Sequence, residues 1–252
     1  MMHYINLIGK IILISTLVTA CSSLPTEIPN DENLVVQEEA DYILMYPRFT
    51  SQDLPGIVFY PGGLVDPHAY MNMFKTLVTE HERPVMIIKA QANLAIINSQ
   101  KASSILQNSN ISNRWIIGGH SLGGSVACMD IFNNPNTFKA LFLLASYSVD
   151  DLSEINIPII SITGSNDLVL NKEAFDENAS NLPTGITINS PEDIPDSETI
   201  GTTIYYEIEG ANHAQFGDYG NQNGDGTASI DSKRQQELVI ESLLRFFESN
   251  QL

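Results

Sequence analysis

Trp115-Ile116-Ile117-Gly118-Gly119-His120-Ser121-Leu122-Gly123-Gly124 is the stretch from which the fold can be read. A short apolar run suited to a buried strand ends in glycines, and a helical pattern begins at Leu122 and continues to Phe132. Between the two stands G-x-S-x-G. A serine on so sharp a strand-to-helix turn needs small residues two positions away on each side, because the flanking elements come close there. Gly119 and Gly123 are those residues. Such a turn lifts the Ser121 hydroxyl above a sheet edge, over a helix N-terminus that favours developing negative charge. The bland alternative is a Gly-rich turn with an idle serine; the strand before and the helix after favour a nucleophile.

On either side of this stretch, apolar runs and helical patterns alternate. Segments 42–46, 57–60, 85–89, 115–117, 140–145, 157–163 and 203–208 read as strands, several of them continuously apolar, as parallel strands covered on both faces are. Segments 68–80, 94–107, 122–132, 172–180 and 232–248 read as amphipathic helices. The alternation predicts an α/β domain over 41–252: a doubly wound, mostly parallel sheet with helices on both faces and no large cap domain. Residues 24–40 are polar and acidic and read as a linker or a first edge. Residues 183–202, with Pro191-Glu-Asp-Ile-Pro-Asp-Ser-Glu, have no usable period and read as an exposed acidic insertion, either a lid or a solvated loop.

At 252 residues one domain is expected. Twelve Lys and Arg face 30 Asp and Glu, a formal charge of −18, which argues against nucleic acid as a partner and against a purely electrostatic hold on anionic lipid. After the leader, Cys128 is the only cysteine, so no intramolecular disulfide is expected, and its apolar helical setting reads as a buried small hydrophobe.

If Ser121 is a nucleophile, it needs a base. His68 and His81 precede it, against the Ser…Asp/Glu…His order of the fold, and His120 should point away from its neighbour's hydroxyl. His213 remains, in Gly210-Ala-Asn-His-Ala-Gln-Phe-Gly217, just past the strand at 203–208. A carboxylate must orient its imidazole. Asp167, at the end of the strand at 157–163, is the leading candidate, with Asp150 and Asp151 behind it. Oxyanion donors are expected from the Leu122 amide and from Tyr60-Pro-Gly-Gly63-Leu64, with Gly63 ahead of Leu64. Asp218, Asn221, Asn223 and Asp225 could suggest a calcium loop, but the spacing lacks the closing glutamate of an EF-hand. No dinucleotide or P-loop motif occurs, so no cofactor and no metal are predicted.

Two resemblances add to this reading. Leu17-Val18-Thr19-Ala20-Cys21, behind the apolar run 11–20, resembles the lipobox of bacterial lipoproteins. That implies a signal peptide over 1–20, a lipid on Cys21, a tether over 21–40 and an exported domain anchored to a bacterial membrane. A plain signal peptide is the alternative, and the single Lys10 is fewer basic residues than usual. The second resemblance rests on Tyr60-Pro-Gly-Gly63, Gly118–Gly124, Gly164-Ser-Asn-Asp167 and Gly210–Gly217. Together these resemble the α/β-hydrolase superfamily, in its small lidless branch related to dienelactone hydrolases and carboxylesterases. The resemblance implies Ser121, Asp167 and His213 as a triad acting on a small acyl substrate, in a protein expected to be monomeric. Pro61 stands where many esterases carry a histidine, and the nucleophile is serine where dienelactone hydrolases use cysteine. The competing reading is a surface lipoprotein that keeps this fold as a binding module without turnover. Transfer of the acyl group to an alcohol rather than to water stays open.

Overall fold

A computed structural model describes residues 29–50, 54–107, 112 and 114–252. The expected leader at 1–20 and Cys21 lie outside these residues. The strands are β1 (Leu34–Glu38), β2 (Tyr42–Pro47), β3 (Gly56–Tyr60), β4 (Val85–Ile88), β5 (Trp115–His120), β6 (Phe138–Leu144), β7 (Ile159–Gly164), β8 (Gly185–Ile188) and β9 (Thr203–Ile208). The helices are α1 (Met71–Thr79), α2 (Lys101–Leu106), α3 (Leu122–Asn133), α4 (Lys172–Asn178) and α5 (Ser232–Ser249).

All nine strands form one sheet in the order β1-β2-β4-β3-β5-β6-β7-β9-β8. β1 and β2 run antiparallel at one edge, and every pairing from β4 to β8 is parallel. The parallel register sets Tyr60 beside Gly119, His120 beside Leu144 and Gly164 beside Ile208. Loops after β3, β5, β7 and β9 therefore emerge at one carboxyl edge, where open α/β sheets bind ligands.

The central strands are apolar throughout because both faces are covered. Along β3, Ile57 and Phe59 face a cluster with Phe74 and Leu77 of α1 and Val239, Leu243, Phe246 and Phe247 of α5. Val58 and Tyr60 face the opposite cluster, with Ala102 and Leu106 of α2 and Val126, Ala127, Cys128 and Ile131 of α3. Each fully buried Val, Leu, Ile or Phe among them contributes about 1.5–3 kcal/mol relative to exposure. Burial pushes the Cys128 thiol up to about 12, so this cysteine acts as a small hydrophobe, as its setting suggests.

Three segments differ from the sequence reading. The domain starts before residue 41, because Leu34–Glu38 already pairs with β2. In 94–107 the expected single helix is broken into turns at Ala95–Asn98 and the short α2, behind a turn at Gln91–Asn93. There Asn93 has a φ of 54° and its carbonyl accepts from Leu64 N–H at 2.7 Å, a tertiary bond that overrides helical propensity. The segment 183–202 is neither lid nor free insertion. It contains the edge strand β8 and then a crossover pinned to the end of α5, with Thr199 N–H donating to Asn250 Oδ1 at 2.7 Å and Ser249 Oγ to Pro195 O at 2.6 Å. The crossover enters β9 at Thr203, the end of the sheet remote from Ser121.

Candidate active site

Ser121 joins β5 to α3 with φ 53° and ψ −126°, a strained conformation for a residue with a side chain. The strain is held in place by its surroundings. Ser121 N–H donates to Leu144 O at 2.9 Å, and its carbonyl accepts from Gly124 N–H at 3.0 Å and Ser146 Oγ at 2.6 Å. A β-carbon on Gly123 would collide with Tyr60 O, and one on Gly119 with the Gly123 backbone. The two glycines flanking the serine are thus required by close approach, as the motif predicts.

The loops after β7 and β9 meet beside this turn. His213 Nδ1 lies 2.7 Å from Asp167 Oδ2, with both side chains almost fully buried. The other carboxylate oxygen, Oδ1, accepts from Val169 and Leu170 N–H, each at 2.8 Å. With a carboxylate at Nδ1, the proton of the neutral imidazole belongs there, which leaves the Nε2 lone pair free as an acceptor. The two loops are tied by Asn166 N–H to Ala211 O at 2.8 Å and Gly210 N–H to Ser165 Oγ at 2.8 Å. Gln235 of α5, fully buried, bonds Asn212 both ways: its Nε2 donates to Asn212 O at 2.8 Å, and its Oε1 accepts Asn212 N–H at 3.1 Å. Sequence reasoning missed Gln235, because a glutamine in the first turns of an amphipathic helix carries no signal of a loop it will meet.

His213 stands next to the serine turn: its ring centroid is 4.6 Å from that of His120. Among the described residues no hydrogen bond joins Ser121 Oγ to His213, and such bonds in ligand-free sites are commonly long. The runner-up acids are placed elsewhere. Asp151 caps Ser153 at 3.0 Å, and Asp150 is half-buried in the same loop. His68 pairs with Asp66 at 2.6 Å.

The turn after β3 completes the arrangement. Gly62 N–H donates to Tyr70 Oη at 3.0 Å, and Leu64 N–H is taken by Asn93 O. Gly63 is the remaining amide, and it lies against Leu122: a β-carbon on Gly63 would stand 3.1 Å from Leu122 Cδ2. Gly63 and Leu122, the residues expected to supply the two amides, therefore lie side by side. Tyr70 Oη accepts from Gly62 and is also hydrogen-bonded to His120 Nδ1 at 2.9 Å. His120 Nε2 is buried without a partner. Burial first, and then the nearby His213, hold the His120 pKa well below the usual histidine range, so the ring is neutral. The side chain of His120 is thus turned toward Tyr70. Tyr70 itself was not anticipated; it sits at the start of an amphipathic helical pattern with no motif to mark it.

A cavity of about 210 Å³ lies between β4 and the 90–101 segment, lined by Tyr60, Ile88, Leu94, Ala95, Ile97 and Lys101. It backs onto the β3 turn, and none of Ser121, Asp167 and His213 lines it. Of the residues weighed as a calcium loop, Asp218 accepts from Asn72 Nδ2 at 3.0 Å and Gln236 Nε2 at 2.9 Å, and Asp225 faces backbone amides. Among the described residues no helix is long and apolar enough to cross a membrane.

Comparison with known proteins agrees with this architecture. No curated protein matches the chain. Solved structures do, at low identity. A predicted CIB-like hydrolase from Thermoplasma acidophilum matches with a TM-score of 0.56 at 14% identity, over 84% of this chain and 99% of that one. An α/β hydrolase enzyme from a sediment metagenome of the Mar Chica lagoon, Morocco, matches with a TM-score of 0.61 at 14% identity, over 86% and 100%. The mouse α/β hydrolase domain-containing protein 10 matches with a TM-score of 0.51 at 13% identity, over 84% and 98%. At such identities the likeness concerns the fold alone. The model of the α/β hydrolase family matches residues 56–237, from the first residue of β3 into α5, and the chain belongs to that family.

Proposed function

We propose that this protein is a serine hydrolase that cleaves esters or related acyl bonds, with Ser121 as nucleophile, His213 as base and Asp167 as the group that orients the base. The reading is carried by one observation: a buried imidazole held at 2.7 Å from a buried carboxylate, beside a serine on a strained turn. His213 Nε2 takes the Ser121 proton as Oγ attacks a carbonyl carbon. Negative charge then moves onto the carbonyl oxygen, where the Gly63 and Leu122 amides donate to it. The imidazolium returns its proton to the leaving group, an acyl-enzyme remains, and water resolves it by the same route. The neutral Tyr70–His120 pair holds the Gly62 end of the donor turn without placing a competing charge there.

The test is labelling of purified protein with a fluorophosphonate probe, followed by peptide mapping and assay on short p-nitrophenyl esters. Modification at Ser121, lost in His213→Ala, together with ester turnover abolished in Ser121→Ala, is the expected result. Well-folded protein that neither labels nor turns over esters would instead support the binding-module alternative.

We also propose that the chain is exported and held at a bacterial membrane by a lipid on Cys21, because Leu17–Ala20 precede that cysteine in lipobox order. Expression with an alkynyl palmitate analogue should label the wild type and not Cys21→Ala. Equal labelling of both would overturn the anchor.

A further inference from the structure

Asp225 belongs to the Gly- and Asn-rich loop that follows His213 and leads back to α5, and its sequence offers only the weak pattern of a calcium loop. In the fold its carboxylate reaches two chain segments at once. Oδ2 accepts from Ala214 N–H at 2.8 Å. Oδ1 accepts from Gly226 N–H at 2.8 Å, from His213 N–H at 3.3 Å and from Leu168 N–H at 3.4 Å. His213 and Ala214 are the base and its successor, and Leu168 directly follows Asp167. One side chain therefore collects backbone amides from both segments whose side chains must stay 2.7 Å apart.

We infer that Asp225 is a positioning residue for the hydrolytic reaction: it sets the separation of the His213 and Asp167 loops and so keeps the imidazole in register with Ser121. The kinetic consequence rests on the serine-hydrolase reading above; the geometric one does not. A carboxylate is the group the position calls for. It has two oxygens with lone pairs for all four amides, and hydrogen bonds to an ionised acceptor are about twice as strong as neutral ones. An asparagine offers one carbonyl oxygen and turns an NH2 toward an amide that also donates. The other ties between the two loops, at Asn166–Ala211 and Ser165–Gly210, lie nearer the strands. Asp225 alone among these bonds the base residue's own amide.

The experiment compares wild type, Asp225→Asn and Asp225→Ala as purified full-length protein, below their melting temperatures. Two readouts are taken: kcat and KM on a p-nitrophenyl ester, and the far-downfield proton resonance of His213 Nδ1–H donated to Asp167. Misplacement of reacting groups by about 1 Å costs about a hundredfold, so kcat should fall about a hundredfold in Asp225→Ala and about tenfold in Asp225→Asn. KM should stay within about twofold, because no substrate contact is removed. The downfield resonance should broaden or vanish in both variants. If Asp225→Ala does not fold, the near-isosteric Asp225→Asn still decides the matter. Unchanged kcat and resonance, a raised KM with kcat intact, or a lowered melting temperature as the sole effect would each overturn the inference. If the wild type turns over no ester, the serine-hydrolase reading fails while the resonance still tests the brace.

Discussion

The two halves of the site are held by different chemistry. On the side of β7 and β9, where the proposed reaction takes up a proton, the imidazole is gripped by ionisable groups: Asp167 at Nδ1 and Asp225 on the backbone. On the side of β3, where an oxyanion would form, the restraints are neutral, with Tyr70 Oη between the Gly62 amide and the buried neutral ring of His120. The halves touch at the His120–His213 ring contact. The division follows from electrostatics. A carboxylate beside the base stabilises the imidazolium, whereas one beside the donor turn would oppose the charge that the turn must accept. Burial alone does not separate such roles. Asp130 is as buried as Asp167, but its oxygens are taken up by Tyr60, Ser103 and Asn134, which lock α3 to α2 and β3.

The sharpest way to break the charged half is Asp167→Asn. The new oxygen can still accept from Val169 and Leu170 N–H, so the loop keeps its shape. The amide then presents N–H to His213 Nδ1, which must become the acceptor, and the proton moves to Nε2, where it blocks uptake from Ser121. The expected loss in kcat on a p-nitrophenyl ester is about ten-thousandfold, with folding intact by circular dichroism. A loss below about tenfold would mean that the carboxylate does not set the tautomer, and the contrast between the halves would lose its basis.

How much of this was legible in the sequence follows from the range of the interactions concerned. The serine turn, β5 and α3 are local, and glycines at fixed offsets mark them directly. Asp167 and His213 could be named because each follows an apolar strand, and a parallel sheet brings such positions to one edge whatever lies between them. Tyr70, Gln235 and Asp225 act across the fold, 8 to 50, 23 and 11 to 57 residues from their partners, and their own neighbours in sequence say nothing of those contacts. The two acidic loops make the same point. Residues 183–202 read as a lid or a solvated loop and 217–226 as a weak calcium loop or ordinary turns, yet the first leads to the remote end of the sheet and the second enters the site. Composition could not sort them; the direction of the strands they join does.

The neutral half is tested by pH, with a smaller expected effect. An unfolded histidine titrates near pH 6.5, while burial keeps the folded His120 pKa well below that. Below about pH 6.5 the unfolded chain therefore binds a proton that the folded chain refuses, and stability falls as pH falls. At most one proton is involved, so the slope contributed is at most about 1.4 kcal/mol per pH unit. In His120→Gln this term is gone, while the carboxylates that govern acid unfolding are unchanged. Urea unfolding at pH 7.5 and 5.5 should therefore show wild type losing about 1 kcal/mol more than the variant across that interval. The variant should be the less stable protein at pH 7.5, because a glutamine leaves a different shape and polarity against Tyr70 and Phe216. The pH-dependent difference, however, has the opposite sense and narrows the gap on acidification. Equal losses in the two proteins would mean that His120 takes up a proton in the folded state. It would then carry positive charge 4.6 Å from the His213 ring, and both halves of the site would be charged.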